Sequence, residues 1–159
     1  MKFNSALKNF VLVLFSTLLI SACSTAKKAS VDTVDDVYTG TDTVEYLANG
    51  VPDRVFFATN KSSLTTRSRD TLRKQATYLR KNKDLTVTIE GHADERGTRE
   101  YNLALGERRA NAAKDYLMTY GVSGKRITVI SYGKEKPVNA GSTPLAWSQN
   151  RRSVTVKTN

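Results

Sequence analysis

The spacing of apolar residues across residues 51–159 predicts a folded domain with helices and strands in alternation. Leu72, Ala76 and Leu79 recur at helical intervals, which predicts a helix with one buried stripe. Residues 85–90 alternate apolar and polar side chains, as a strand with one buried face does. The predicted elements are strands at 54–57, 85–90, 126–132 and 153–156, helices at 66–81 and between the caps Thr98 and Gly121, and a long loop over 133–150. The order β-α-β-α-β-β predicts an α/β fold, an α+β sandwich with helices packed on one face of a mixed sheet.

The composition fits one domain with an extension. The 159 residues are 39% hydrophobic and 25% charged, which excludes a wholly disordered chain and a multispan membrane protein. The single cysteine and single histidine exclude an intramolecular disulfide framework, an all-cysteine metal cluster and a multi-histidine metal site. The net charge of +10 indicates an anionic partner. We expect neither a metal nor a cofactor.

The first residues have the pattern of an export signal. Lys2 and Lys8 precede an uncharged run, Phe10–Ile20, which is shorter than the roughly 20 residues that a membrane-spanning helix needs. The residues after the run resemble a bacterial lipobox, in which Cys23 receives a diacylglyceryl group and becomes the first mature residue. The alternative is a plain signal peptide with a chance cysteine. By analogy with other lipoproteins, Ser24 favours transfer to the outer membrane.

Residues 24–50 have the composition of a linker. They are mainly Ser, Thr, Asp, Ala, Val and Lys, without a sustained period of either helix or strand. We therefore divide the chain into a signal peptide (1–22), a lipidated cysteine with a flexible tether (23–50) and a folded domain (51–159). This organisation predicts a domain in the periplasm, anchored to the outer membrane by lipid.

An arginine occupies the apolar stripe of the second helix. Projected at about 100° per residue, Arg109 falls among Leu105, Ala113 and Tyr116, which belong to the buried face. An arginine there needs an anion or a dense set of acceptors, because an unpaired buried charge is costly. Asp94, in the loop that enters this helix, is placed to face it. The pair either holds a zwitterion, with an ammonium on Asp94 and a carboxylate on Arg109, or forms an internal salt bridge that binds nothing.

Several segments, in order, resemble the C-terminal peptidoglycan-binding domain of the OmpA-like family. The helix pattern is Asn102-x-x-Leu105-x-x-Arg108-Arg109-Ala110. The loop Gly91-His92-Ala93-Asp94-Glu95-Arg96-Gly97-Thr98, with residues 131–137 and 150–152, more narrowly resembles the peptidoglycan-associated lipoproteins of that family. The resemblance covers nearly all of residues 51–159, and the lipobox and tether fit it.

The resemblance implies non-covalent binding of the diaminopimelate residue in the peptidoglycan stem peptide, which carries both carboxylate and ammonium groups. The family's ligand-contacting Asp and Arg fall on Asp94 and Arg109. The pocket's surroundings fall on Glu95, Arg96, Gly97, Thr98, Asn102, Leu105 and Phe57. Asn60 stands where many relatives have an aspartate, and its amide can still accept a hydrogen bond. The resemblance also implies a protein partner, the periplasmic β-propeller of the Tol system.

Two other functions compete with wall binding. His92 and the adjacent acids suggest a metal or acid/base cluster, but zinc sites usually need more His or Cys than this chain offers, so we expect no enzyme activity. Basic residues crowd the first helix and permit nucleic-acid binding, although they more often form a solvated face. These are Arg67, Arg69, Arg73, Lys74, Arg80, Lys81 and Lys83. Arg151 and Arg152 are expected to pair across the sheet with acids such as Glu90. The sequence thus predicts a lipid-anchored, non-catalytic link between the outer membrane and peptidoglycan.

Overall fold

The computed structural model describes Val31, Asp32 and residues 36–159, so the predicted signal peptide and Cys23 lie outside the described residues. The elements are β1 (Val31–Asp32), β2 (Val37–Tyr38), β3 (Tyr46–Ala48), β4 (Val51–Pro52), β5 (Arg54–Phe56), α1 (Thr66–Lys81), β6 (Val87–His92), α2 (Arg99–Thr119), a 3-10 turn (Gly124–Arg126), β7 (Ile127–Gly133), α3 (Pro144–Asn150) and β8 (Arg152–Lys157). In this part of the chain, no helix is both long and apolar enough to cross a membrane.

Four strands form one mixed sheet in the order β5-β8-β6-β7. β8 pairs antiparallel with both β5 and β6, and β6 pairs parallel with β7. Val55, Val87 and Ile89 of the sheet are buried on the face that carries the helices. They share one core cluster with Leu79 of α1 and Leu117 of α2. The predicted mixed sheet with helices on one face is confirmed.

Capping residues fix the limits of both long helices. The hydroxyl of Thr65 accepts a hydrogen bond from the amide of Ser68 (3.1 Å), and α1 has the predicted bounds. The hydroxyl of Thr98 accepts one from the amide of Tyr101 (3.2 Å) at the start of α2. At the other end Gly121 has a φ of +83°, the left-handed conformation that ends helices and favours glycine.

Two glycines let α2 lie directly on β6. A Cβ atom at Gly91 would stand 1.9 Å from the main-chain oxygen of Gly106, a distance at which the helix and strand would have to separate. This close approach sets the position of Asn102 and Arg109, on the same helix, against the strand that leads to Asp94. The distance between α2 and β6 therefore depends on Gly91 and Gly106, which have no side chains.

The predicted loop over residues 133–150 contains a short helix, α3. Thr143 caps it by accepting a hydrogen bond from the amide of Ala146 (3.2 Å), and Pro144 occupies its first turn. The helix has seven residues, which is too few to give an apolar period in the sequence. This is why the sequence prediction missed it.

Residues 36–50 pack on the domain, although the sequence placed them in the tether. Val37, Tyr38 and Leu47 are at most 6% exposed. The ring of Tyr38 meets that of Phe56 edge-on, with centroids 4.8 Å apart. Strands β2 to β4 have only two or three residues each. They are too short to give an alternation of apolar and polar residues that predicts a strand. The folded part of the chain thus begins before the predicted boundary at residue 51.

Candidate functional site

Three segments meet at one end of the four-stranded sheet. Residues 57–65 follow β5, residues 93–98 follow β6, and Arg151 immediately precedes β8. Because β8 runs antiparallel to β5 and β6, its first residue lies beside their last ones. The predicted residues Asp94 and Phe57 therefore lie at the same end of the sheet as Arg151, which is distant from them in the sequence.

Arg109 is fully buried and holds two of these segments together. Its Nε donates to the carbonyl oxygen of Lys61 (2.9 Å), its Nη1 to that of His92 (2.8 Å) and its Nη2 to that of Ala58 (3.0 Å). Burial, with repulsion from Arg151 as the next cause, lowers the pKa of Arg109 to about 9. The guanidinium is therefore charged at neutral pH and fastens the β5–α1 connection to the end of β6.

These contacts differ from both arrangements considered for Arg109 from the sequence. The acceptors that its buried position demands are main-chain carbonyls, whereas Asp94 forms its own ion pairs with other arginines. The carboxylate of Asp94 is near enough to favour the charged form of Arg109. Because its side chain is fully buried, Arg109 presents no exposed group to a ligand in this structure.

Asp94 is the anionic centre of the site. Its Oδ1 accepts hydrogen bonds from the amide and the Nε of Arg96 (3.2 and 3.1 Å), and its Oδ2 accepts from Nη2 of Arg96 (2.7 Å) and Nη1 of Arg151 (3.2 Å). Burial alone would raise the pKa of Asp94, but the hydrogen bonds from Arg96 and Arg151 outweigh it and hold that pKa below its usual value. The carboxylate is therefore ionised and shared by two guanidinium groups.

Arg151 belongs to the site, although the sequence prediction placed it elsewhere. It is 1% exposed, and its Nε donates to the carbonyl oxygen of Phe57 (3.1 Å). Its Nη2 donates to the carbonyl oxygen of Asp36 and lies 2.8 Å from the Oδ1 of the same residue. The expected pairing with Glu90 is wrong for Arg151, because this residue precedes β8 at the site end. Glu90 instead favours the charged form of Arg152.

Arg96 forms the exposed rim of the site. Its side chain is 41% exposed, and its Cζ lies 4.3 Å from the ring centroid of Trp147 on α3. The indole Nε1 donates to Oε1 of Glu95 (2.8 Å), and this bond is the largest cause of the lowered pKa of Glu95. Trp147 was not predicted as a site residue, because its helix was predicted as loop.

The loop between β6 and α2 is held by its own residues, by α2 and by Lys134 just after β7. Asn102 is buried and donates its Nδ2 to the carbonyl oxygen of Arg96 (2.8 Å). Gly97 has a φ of +90°, and its carbonyl accepts from Nζ of Lys134 (2.8 Å). Thr98 acts as the N-cap of α2. These contacts fix the main chain on either side of Arg96.

The remaining predicted residues lie below or beside the site. Phe57 is fully buried in the core, with its ring centroid 5.2 Å from the Cζ of Arg109. Leu105 is buried as well, at 3% exposure. Asn60 is exposed and has a φ of +56°, in the turn whose flanking carbonyls bind Arg109. Phe57 and Leu105 therefore support the site rather than line its surface.

His92 contributes its main chain to the site and its ring to the groove on the other face of the sheet. Its ring is 5.6 Å from that of Tyr132, and its Nε2 lies 3.5 Å from Oε2 of Glu90. Burial, and next repulsion from Arg152, lowers the pKa of His92 to about 3. No group of three or more His, Cys, Asp or Glu residues within 36–159 is arranged to hold a metal ion.

At this end of the sheet, a charged ligand can exchange with one of the ion-pair partners of Asp94. A ligand ammonium can replace Arg96 on the carboxylate of Asp94, and the released guanidinium can then bind a ligand carboxylate through two parallel hydrogen bonds. Arg96 can make this exchange because its side chain is partly exposed, whereas Arg151 is 1% exposed. The site therefore suits a ligand that carries both charges.

The sequence pattern of the OmpA family matches residues 56–151, which include the site residues from Phe57 to Arg151. The chain belongs to the OmpA family. It is 58% identical to the peptidoglycan-associated lipoprotein of Rhizobium meliloti (strain 1021) over 106 residues. These aligned residues cover 67% of this chain and 60% of that protein. The chain thus spans less than two thirds of the length of this relative.

Two further comparisons extend the OmpA-family likeness. The peptidoglycan-associated lipoprotein of Brucella melitensis is 43% identical over 151 residues, which cover 91% of this chain and 89% of that protein. The crystal structure of the peptidoglycan-associated lipoprotein from Burkholderia pseudomallei superimposes with a TM-score of 0.65 at 39% identity, covering 67% of this chain and 90% of that one. The predicted OmpA-like fold is confirmed by this neighbour.

Proposed function

We propose that this chain is a non-enzymatic outer-membrane lipoprotein that binds peptidoglycan and so links the membrane to the cell wall. Membership of the OmpA family and the names of the relatives support the association with peptidoglycan. The Brucella melitensis relative is matched over nearly its whole length, which extends this support beyond the folded domain. The lipobox-like pattern ending at Cys23 supports the anchor.

The ligand is the diaminopimelate residue of the stem peptide, and the site is the Asp94 end of the sheet. The observation that carries this assignment is the ionised carboxylate of Asp94, held between the buried Arg151 and the partly exposed Arg96. Diaminopimelate presents an ammonium and a carboxylate on one side chain. The ammonium takes the place of Arg96 on Asp94, and Arg96 turns to the carboxylate. In this arrangement Arg109 positions the β5–α1 connection that borders the ligand.

The anchor and a short tether make weak binding sufficient. A domain that cannot leave the membrane surface meets its ligand at a raised effective concentration. We further propose that the domain engages the periplasmic β-propeller of the Tol system and acts with it in envelope integrity and cell division. Both proposals extend the family resemblance to this chain.

Co-sedimentation of the purified full chain with peptidoglycan tests the assignment. Arg96→Gln removes the exchanging guanidinium and should weaken apparent affinity about tenfold, as should Asp94→Asn. The matched control is Arg108→Gln, which removes an equal charge from the exposed side of α2. Circular dichroism confirms that each variant is folded.

A competing peptide identifies the ligand group. A stem peptide with diaminopimelate should release the chain from peptidoglycan, and the corresponding lysine peptide, which lacks the extra carboxylate, should not. Equal sedimentation of the Arg96 and Asp94 variants and the wild type, or equal competition by both peptides, would overturn the assignment.

A further inference from the structure

Helix α1 presents a continuous basic face to solvent. We define the basic face as Arg67, Arg69, Arg73, Lys74, Arg80, Lys81 and the adjacent Lys83, all of which are exposed. Asp70 is the one acid within the helix, and it is paired with Arg73. The face therefore keeps a large positive charge after its internal pairing is counted.

Two grooves flank this helix, and both are positively charged. The first, of about 400 Å³, is lined by Arg73, Lys74 and Lys81 with Val51 and Tyr78 among its uncharged walls. The second, of about 510 Å³, is lined by Thr77, Arg80, Lys81, Lys83 and Gly121. Every charged residue that lines either groove is a cation. Each groove thus offers several cations to an anionic group.

The stability of the helix does not account for this concentration of charge. Arg67 and Arg69 lie in the first turns of α1, where cations oppose the helix dipole. Arg69 and Arg73, four residues apart, repel each other along the helix surface. Arg80 and Lys81, in the last turn, are favourable to the dipole. The cations in the N-terminal half of the basic face therefore do not stabilise the helix, and they are exposed to an external anion.

The basic face extends to the end of the domain opposite Asp94. Near its start, the hydroxyl of Ser68 donates to the carbonyl of Phe56, beside the site. Near its end, the carbonyl of Leu79 accepts from Arg126, which directly precedes β7. Because β6 and β7 are parallel and Asp94 follows the last residue of β6, the helix ends at the far edge of the sheet. Lys81 and Lys83 are thus well separated from the site.

We propose that the basic face docks the domain on an anionic phospholipid surface, with α1 lying along that surface. The inference rests on the lipid anchor of the proposed function. Charge complementarity indicates the partner, since a layer of phosphate headgroups matches a helix-long row of cations. The segment from Cys23 to Asp36 spans at most about 45 Å when extended, which keeps the domain close to such a surface.

Lysine footprinting on the full chain in vesicles tests this docking. The chain is reconstituted either in phosphatidylcholine alone or in phosphatidylcholine mixed with phosphatidylglycerol, and acetylation of each lysine is measured by mass spectrometry. Lys74, Lys81 and Lys83 should be protected in the mixed vesicles only, and added salt should abolish the protection. Lys61 and Lys136 are exposed outside the basic face and serve as internal controls.

A pair of double variants tests the role of charge. Arg73→Gln with Arg80→Gln should reduce the protection about fivefold per cation removed. Arg108→Gln with Lys114→Gln removes the same charge from α2 and should leave the protection unchanged. Equal lysine reactivity in the two vesicle types, or equal loss in the two double variants, would overturn the proposal.

Two further readouts separate this proposal from its alternatives. Soluble polyphosphate is added to the phosphatidylcholine vesicles, and protection as strong as that by phosphatidylglycerol would refute a lipid partner in favour of a soluble polyanion. The intact mass of the chain shows whether Cys23 is acylated. An unacylated chain refutes the anchor, and the same footprint with the chain added to preformed vesicles then decides the docking by itself.

Discussion

Replacing Arg109 by methionine removes three buried hydrogen-bond donors while roughly preserving side-chain volume. The carbonyl groups of Lys61, His92 and Ala58 would lose their partner at this position, at the point where the β5–α1 connection joins the end of β6. Breaking a buried charged network of this kind costs about 3–5 kcal/mol of unfolding free energy. We therefore expect Arg109→Met to be strongly destabilised, before any effect on ligand binding is considered.

Urea denaturation followed by circular dichroism measures this loss. Arg109→Lys keeps the charge but cannot span three carbonyls, so it should fall between the wild type and Arg109→Met. The control is Arg108→Met, at the neighbouring exposed position, which should change the unfolding free energy by less than about 0.5 kcal/mol. An Arg109→Met chain with wild-type stability and no affinity for peptidoglycan would refute the positioning role and assign Arg109 directly to the ligand.

Three other outcomes follow from the structure. The pKa of His92 is about 3 in the folded chain against about 6.5 unfolded, so the stability that its neutral ring contributes is complete above pH 6.5 and is lost as the pH falls towards 3. His92→Gln should remove up to roughly 5 kcal/mol of that pH dependence in urea titrations, and an unchanged profile would contradict the burial argument. Gly91→Ala should destabilise the chain by at least about 2 kcal/mol, because its methyl group would meet the main chain of Gly106, and a chain as stable as the wild type would show that α2 lies farther from β6. Asp94→Asn removes one of the two carboxylate partners of Arg151 and should lower the unfolding free energy by about 2 kcal/mol at neutral pH. This difference should shrink as acid protonates Asp94, and a constant difference between pH 7 and pH 2 would count against the ion pairs.

Periodicity was enough to predict the elements on which the site is built. The stripe of Leu72, Ala76 and Leu79 and the caps Thr98 and Gly121 give the helices their bounds, because these signals are local in the chain. The position of Arg109 on a buried stripe also predicted that it must be satisfied internally or by an anion. Which acceptors satisfy it depends on how the β5–α1 connection folds over the helix, and no spacing in the sequence encodes that.

The residues that the sequence analysis missed come from short or distant segments. Trp147 lies on a seven-residue helix, and Asp36 lies before the predicted domain boundary. Arg151 was assigned to the sheet because it adjoins a predicted strand, yet it lies one residue before that strand and at its site end. The segment 150–152 did form part of the family resemblance, which was the available signal for its role.

Fluorescence of Trp147 during titration with stem peptide tests the central claim most directly. Trp147 is the single tryptophan of the chain and lies against Arg96, the group that must leave Asp94 when a ligand binds. A diaminopimelate peptide should produce a saturable change that is absent for the lysine peptide and that needs about tenfold more peptide for Asp94→Asn. Saturable binding of the diaminopimelate peptide by calorimetry with no change in Trp147 emission would contradict the exchange of Arg96 for the ligand.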